Sequence, residues 1–459
     1  MMLLSQAAKV LNGELIGKNA QFTAVSKDTR DLTAGSLYVA LKGARLDGHD
    51  FVGQAGAKGA IAALVSKRQP AALPQIVVND TRLALGELAA FWRLQFKTRL
   101  VGITGSNGKT TVKEMTRSIL EQSAGVDKVL STMGNLNNDI GMPMTLLSLR
   151  DQHEFAVIEM GANHPGEIDY LTRIAQPHVA VITNAGPAHL EGFGSIDKVA
   201  SSKAEIYSGI IAGGTAVINA DDAYADYWKD ICSHLGENRS VLTFSMRDEA
   251  ADVYAAVTEV NKATRISLRT PLGNGTLELA VPGMHNVMNA LAATAVTIAL
   301  DIALDDIIQG LGEFGGVSGR LTTSYTSSGA RIINDTYNAN PLSLKAAMSV
   351  LAATAADTWL VLGDMAELGD EKEELHRKAG EQARDLGVKH LLATGNLARF
   401  AVEAFGQGAH FFADREQLVH RLAQGISEDS VVLVKGSRSM AMEQIVNALL
   451  DQPREKRIS

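Results

Sequence analysis

The sequence predicts an α/β protein of three domains, and three observations carry that prediction. A chain of 459 residues has room for about three domains of ~150 residues each. Short apolar runs, of the kind buried on both faces of a parallel sheet, alternate with helical stretches. A glycine-rich phosphate-binding loop separates one such strand from a helix. With 46% hydrophobic and 20% charged residues, the composition can fill substantial cores and excludes a disordered or fibrous chain.

Residues 35–41 read as a turn into a strand and 59–65 as another, which makes 1–82 a small N-terminal α/β domain. From Thr81 to Phe96, Leu85, Leu88, Ala89, Trp92 and Phe96 recur at helical spacing and lead into a strand at 100–104. The central domain, 83–314, continues with strands at 155–160, 179–183 and 215–219. Gly310, Gly312, Gly315, Gly316 and Gly319 interrupt this pattern and read as a hinge. A fresh α/β series, with strands at 331–334, 359–362 and 431–434, makes 315–459 the third domain. The basic tail 454–457 reads as a solvated end.

Several functions are excluded at this level. A formal charge of −8 leaves no overall basic field for a phosphate backbone, so nucleic acid is not expected as a partner. Cys232 is the only cysteine, which rules out an intrachain disulfide and a cysteine-built metal site. The most apolar stretch, 290–300, contains Thr294 and Thr297 and ends at Asp301, short of the ~20 residues a membrane helix needs. Residues 1–6 lack the basic segment and long apolar run of a secretory signal. A cytoplasmic protein without membrane insertion is expected.

The chemistry concentrates in a few segments. In Thr104-Gly105-Ser106-Asn107-Gly108-Lys109-Thr110-Thr111, glycines let successive N–H groups and the next helix N-terminus face an anion. Lys109 adds a charge, and the Thr110 hydroxyl suits a Mg²⁺ shell. Ile103 stands where the longer, common form of this loop has glycine, so this is a Gly-x-x-Gly-Lys-Thr-Thr variant. Glu159 follows four apolar strand residues, where a metal ligand or an ordinary capping carboxylate could sit. His189 ends Asn184-Ala185-Gly186-Pro187-Ala188-His189, as a ligand or a structural hydrogen-bonder. On physical grounds alone Lys203 reads as an exposed helical lysine.

Taken in order, the phosphate loop, Glu159-Met160-Gly161, Asn184-x-x-x-x-His189, Ser202-Lys203-Ala204-Glu205, Gly283-x-His285-Asn286-x-x-Asn289-Ala290 and Gly319-Arg320 resemble the Mur ligases. These are cytoplasmic ATP-dependent amide-forming enzymes of peptidoglycan synthesis, and the resemblance covers nearly the whole chain. The blocks 334–341 and 362–369 resemble the member that adds D-alanyl-D-alanine to UDP-N-acetylmuramoyl-tripeptide. The Asp-Asn-Pro-Arg motif of the sibling that adds the third amino acid is absent. A folylpolyglutamate synthetase would share the phosphate loop but not the block 26–30. A nucleotide-gated binding protein of another class would need the loop but not His189 and Lys203.

The resemblance implies a UDP-substrate domain, a central ATPase-type domain and a C-terminal Rossmann-like domain. It places ATP on Gly105, Ser106, Asn107, Gly108, Lys109, Thr110 and Thr111, with the adenine near His285, Asn286 and Asn289. The alternative for that last group is a polar helix start with Asn286 as the cap. Arg320 would reach the γ-phosphate and Asp335 the ribose hydroxyls. Thr110 and Glu159 would hold one Mg²⁺, and His189 with a carbamylated Lys203 a second, because a carbamate supplies oxygens where an ammonium supplies only donors.

Ser26, Asp28, Thr29, Arg30 and Arg45 would engage the UDP part, though Asp28-Thr29-Arg30 could equally be a solvated turn. Thr132, Asn135, Asn137 and Asn138 would contact sugar and peptide, and Tyr337, Asn338 and Asn340 complete the substrate set. Lys109, Lys203, His189 and Arg320 form the implied catalytic set. The implied reaction runs through an acyl phosphate, with a monomer that closes its third domain over ATP.

Overall fold

The computed structural model describes residues 1–236, 238–260, 264–354 and 356–451. The basic tail 454–457 lies outside the described residues. Among the described residues three larger sheets, each mostly parallel, follow one another along the chain, and Met2–Leu3 forms a separate antiparallel pair with Gln21–Phe22.

The first sheet takes its strands from Glu14–Ile16 to Gln75–Val77, in the order Glu14–Ile16, Gln75–Val77, Ala62–Val65, Ser36–Val39, Ala24–Ser26. Only its first pair is antiparallel. One face of this sheet has no core of its own. Leu37, Val39, Leu64 and Ile76 join a hydrophobic cluster that continues through Leu85 and Leu88 into Leu146, Ile182 and Trp228 of the next unit. The helix Thr81–Arg93 is the bridge, and Asp80 caps it by accepting from the N–H groups of Arg82 and Leu83. Residue 82 lies in its first turn.

Among the described residues the central sheet has nine strands, with Arg99–Thr104 third from one edge, between Phe155–Glu159 and Val179–Ile182. Successive residues of these strands feed opposite cores. Leu100, Ala156 and Ile158 face the cluster shared with the first unit, whereas Val101, Ile103 and Val157 face the helices Lys109–Ala124, Met284–Ile298 and Leu304–Gly312. Both faces are therefore apolar, as a parallel sheet requires. From Arg99–Thr104 the chain first crosses to one side of the sheet and then to the other. That reversal opens a crevice at the carboxyl ends of three adjacent strands.

The parallel reading of this domain is incomplete. Val253–Val260, Thr264–Thr270 and Gly273–Leu279 form an antiparallel extension of the sheet. Thr264, Ile266, Leu268 and Thr270 point inward while Arg265, Ser267 and Arg269 point out, so these strands alternate instead of forming apolar runs.

The glycine cluster is not one hinge. Gly310 and Gly312 belong to the helix Leu304–Gly312, and a Cβ on Gly310 would lie 2.5 Å from the Ile119 Cα of the neighbouring helix. Gly310 is there for close helix packing. Backbone freedom is confined to the segment after that helix, where Gly316 and Gly319 have φ of +98° and +72°.

The third sheet orders its strands Thr322–Tyr325, Arg331–Asp335, Ser430–Lys435, Asp357–Leu362, His390–Ala393, Ala409–Phe411, all parallel except the first pair. Its two faces carry separate clusters, around Leu344, Leu360 and Leu433 on one side and Ile332, Val361 and Ile445 on the other. No helix among the described residues is long and apolar enough to cross a membrane.

Candidate active site

A cleft of about 2150 Å³ runs from the carboxyl ends of the central strands to the facing edge of the third unit. The strand Arg99–Thr104 delivers the loop 105–108 into it, and the helix Lys109–Ala124 starts directly from Gly108. Two glycines are required here. Gly105 has φ of +146° and no room for a Cβ against Thr183 Oγ1; Gly108 has φ of +83° and none against Asn289 Oδ1.

The loop is held from the neighbouring strand end. Ser106 N–H donates to Asn184 O (2.9 Å), Asn107 N–H to Asn184 Oδ1 (3.0 Å), and Thr183 Oγ1 to Asn107 O (2.6 Å). Thr183 is not among the expected site residues, and Asn184 enters there only as the start of the block that ends at His189; their signal is a hydroxyl and an amide directly after a buried strand.

Lys109 Nζ donates to Gly105 O at 2.6 Å, folded back over the loop. Burial lowers its pKa, and nearby Arg320 adds to that while Glu159 opposes it. Glu159, 2% exposed, accepts from Thr110 Oγ1 on one carboxylate oxygen (2.9 Å) and from Asn137 Nδ2 on the other (2.8 Å). Thr110 and Glu159 are thus together, as a shared cation would need. Among the described residues no three His, Cys, Asp or Glu side chains form a metal cluster. One carboxylate and one hydroxyl facing a phosphate cradle do fit Mg²⁺, which keeps most of its shell as water and phosphate oxygens.

His189 occupies the left-handed region at φ of +54°, and Glu367 of the third unit does so at +61°. Glu367 Oε2 lies 2.5 Å from His189 Nδ1, off the line of an N–H donor. Two non-glycine residues in that sparsely used conformation meeting across the cleft mark a constrained junction. Burial first, then Lys109, lowers the His189 pKa, against the pull of Glu367.

Lys203 corrects the expectation of an exposed helical lysine. It sits in the helix Ile196–Ala204, 1% exposed, with Nζ 5.4 Å from the Phe193 ring centre, and does not line the cleft wall. Desolvation and the positive charge of Lys109 bring its pKa down to about 7.

His285, Asn286 and Asn289 all line the cleft at the start of the helix Met284–Ile298. Asn286 is not the cap, since Gly283 holds that position; its Nδ2 donates to Pro282 O (2.7 Å) and its Oδ1 accepts from Asn289 (3.1 Å). Burial lowers the His285 pKa to about 4.

From the third unit, Arg320 stacks its guanidinium 4.3 Å from the centre of the Tyr337 ring and donates to Thr110 Oγ1 (3.0 Å). Asn340 Nδ2 donates to Asn107 Oδ1 (2.8 Å), while its own Oδ1 caps the helix Pro341–Ala352. Asn338 faces the cleft and gives its carbonyl to Lys435. Asp335 is not free: Lys435 Nζ lies 2.5 Å from its Oδ2, leaving one oxygen for a ligand. Lys435 was missed. Its signal is the one Glu159 carries, a charge at the end of an apolar strand.

The expected substrate residues are scattered. Thr132 is fully buried, with its hydroxyl accepting from Glu159 N–H, and it does not face the cleft. Asn137 is engaged by Glu159, and Asn138 Oδ1 accepts from Ile140 and Gly141 N–H; both line the cleft, as does Asn135. Ser26, Asp28, Thr29, Arg30 and Arg45 lie outside the cleft lining. Asp28 and Arg30 pair with each other at 2.6 Å, Ser26 closes their turn, Thr29 bonds Gln54, and Arg45 is exposed.

Relatives share this whole arrangement of units. The Mur ligase middle domain matches residues 103–297, the Mur ligase glutamate ligase domain 319–438, and the Mur ligase family catalytic domain 21–93. The UDP-N-acetylmuramoyl-tripeptide–D-alanyl-D-alanine ligase of Escherichia coli (strain K12) is 46% identical, over 97% of this chain and 98% of that protein. A crystal structure of MurF from Acinetobacter baumannii superimposes with a TM-score of 0.90 at 37% identity, covering 98% of each chain. MurF ligase from Thermotoga maritima in complex with ADP gives 0.82 at 28% identity, over 93% of this chain and 96% of that one.

Proposed function

The chain belongs to the Mur ligase family, and from that premise we propose that it uses ATP to join D-alanyl-D-alanine to UDP-N-acetylmuramoyl-tripeptide in peptidoglycan precursor synthesis. The observation that carries the reading is the chain of contacts Arg320–Thr110–Glu159, which puts a third-domain cation, a hydroxyl and a carboxylate beside the Lys109 loop. Full-length similarity to ligases of that name selects this acceptor over those of sibling ligases or a folylpolyglutamate synthetase.

In this reading the terminal carboxylate of the tripeptide attacks the γ-phosphorus of ATP, and ADP leaves. The product is an acyl phosphate, needed because oxide is a poor leaving group. The amine of D-alanyl-D-alanine then attacks the activated carbonyl, phosphate departs, and the amine proton passes to water. The protein's share is positioning and charge compensation.

Gly105, Ser106, Asn107, Gly108 and Thr111 cradle the phosphates, while Lys109 turns from the Gly105 carbonyl to the β- and γ-phosphates. Arg320 compensates the γ-phosphoryl charge, and its stacking on Tyr337 fixes its approach. Thr110 and Glu159 would hold a Mg²⁺, which would shield the phosphates as a Lewis acid. His189 and Lys203 would hold a second ion were the neutral Lys203 amine to add to CO₂, an addition that forms an N–C bond and releases a proton. Burial of that amine supports the step by weakening its hold on a proton.

His285, Asn286 and Asn289 face the adenine, and the free oxygen of Asp335 faces the ribose. Asn135, Asn138, Tyr337 and Asn338 meet the sugar and peptide, and the segment 26–30 with Arg45 takes the uridine diphosphate. We place the enzyme in the cytoplasm as a monomer.

The test is a heavy-oxygen label in the terminal carboxylate of the tripeptide. The label should appear in the released phosphate; unlabelled phosphate alongside ligated product would overturn the acyl-phosphate route.

A further inference from the structure

Lys113 lies one helical turn beyond Lys109, is 1% exposed, and has no place in the reaction described above. Its Nζ donates to Thr132 O at 2.5 Å and lies 2.8 Å from Glu114 Oε1. A lysine is almost never buried this completely unless its ammonium is paired, so the two contacts account for its tolerance but not for its presence. What Thr132 does explains that presence. Its N–H donates to Val157 O (3.0 Å), and its hydroxyl accepts from Glu159 N–H (2.9 Å).

Glu159 is therefore held at three points. Thr132 fixes its backbone, Thr110 one carboxylate oxygen and Asn137 the other; Asn137 in turn accepts from Gly161 N–H through its carbonyl (2.8 Å). Thr132 and Asn137 come from one loop that follows the edge strand Val129–Ser131. Lys113 fastens the root of that loop to the phosphate-loop helix.

We infer that Lys113 is a positioning residue for Glu159, acting through Thr132 to align the carboxylate with Thr110 for the cation. The inference rests on the reading of Glu159 as a Mg²⁺ ligand. Magnesium demands near-ideal geometry, and groups that orient a ligand without touching the metal are commonly worth roughly 10- to 100-fold in metal affinity. In Lys113→Met the stem volume stays but the Thr132 carbonyl loses its donor, and the loop holding Thr132 and Asn137 loosens.

The experiment titrates Mn²⁺ into the ADP-bound full chain, reading free Mn²⁺ by electron paramagnetic resonance, and separately measures ADP affinity in chelator. Lys113→Met should weaken Mn²⁺ roughly 10- to 100-fold and leave metal-free ADP affinity unchanged. A folded variant with wild-type Mn²⁺ affinity, or one that loses ADP equally in chelator, overturns the inference. Thr132→Val tests the second link should Lys113→Met not fold: it keeps the carbonyl and removes the hydroxyl, and wild-type Mn²⁺ affinity there also overturns it. Glu159→Gln separates the two readings, since undiminished Mn²⁺ affinity in that variant removes Glu159 as a ligand altogether.

Discussion

Arg320 Nη2 donates to Thr110 Oγ1 at 3.0 Å, joining the third domain to the first turn of the phosphate-loop helix across 210 positions of sequence. The same hydroxyl donates to Glu159, so a residue of one domain and the proposed cation site of another share one oxygen. Arg320→Ala should lower kcat by about 10²- to 10³-fold with a smaller change in the KM for ATP, because the charge it meets grows in the transition state. Steady-state phosphate release measures both; a raised KM with kcat intact would make Arg320 a ground-state binder only.

Lys203 is 1% exposed, so its removal leaves an enclosed space beside the site. Lys203→Ala should reduce turnover by about 100-fold or more, and added formate or acetate should restore part of it by supplying oxygens in the vacated space. Initial rates with and without the carboxylate decide this. An Ala variant with wild-type activity contradicts the carbamate assignment.

Gly310 and Gly312 lie two residues apart in one helix and should respond oppositely to alanine. A Cβ at Gly310 meets the Ile119 backbone, whereas at Gly312 nothing lies within 4 Å. Gly310→Ala should cost about 1–3 kcal/mol by overpacking, and Gly312→Ala should add up to about 1 kcal/mol by restricting the unfolded chain. Urea unfolding of the two variants checks this, and equal stability would contradict it.

His178 supplies a pH dependence away from the site. Its Nδ1 accepts from Leu100 N–H (3.0 Å), so the ring must be neutral there, and burial with Arg93 and Arg99 nearby lowers its pKa to about 4. Between that value and the ordinary 6.5, the unfolded chain takes a proton that the folded chain refuses. Stability is fully present above pH 6.5 and falls as pH drops through the window. The half-buried ring limits the effect to on the order of 1–2 kcal/mol. His178→Asn keeps an acceptor without the titration, so its unfolding free energy should lose this slope; parallel curves would contradict it.

Much of this was legible in the sequence because the signals are local. Buried parallel strands are continuous apolar runs, and the phosphate loop needs glycines at fixed positions beside a lysine. The antiparallel extension was not found because its strands, such as Thr264–Thr270, alternate inward and outward residues and never form such a run. Side-chain burial was harder still. Lys203 reads as a surface lysine from its own helix, and its burial, with Nζ over the Phe193 ring of the preceding short helix, appears only once the chain is folded. Gly310 looked like a hinge because a glycine for close packing and a glycine for a turn read alike until the neighbouring helix is in place. Glu367 and Lys435 acquire partners, His189 and Asp335, only from tertiary contact.

The central claim is that this cleft makes one particular amide bond, and the mass of the nucleotide product tests it most directly. The chain should be incubated with ATP, Mg²⁺, UDP-N-acetylmuramoyl-tripeptide and either D-alanyl-D-alanine, single amino acids or glutamate. The account predicts a product heavier by one D-alanyl-D-alanine less water, formed with phosphate release that requires both the tripeptide and the dipeptide. Product formed with another acceptor and not with the dipeptide, or ATP cleavage without any ligated product, would contradict it.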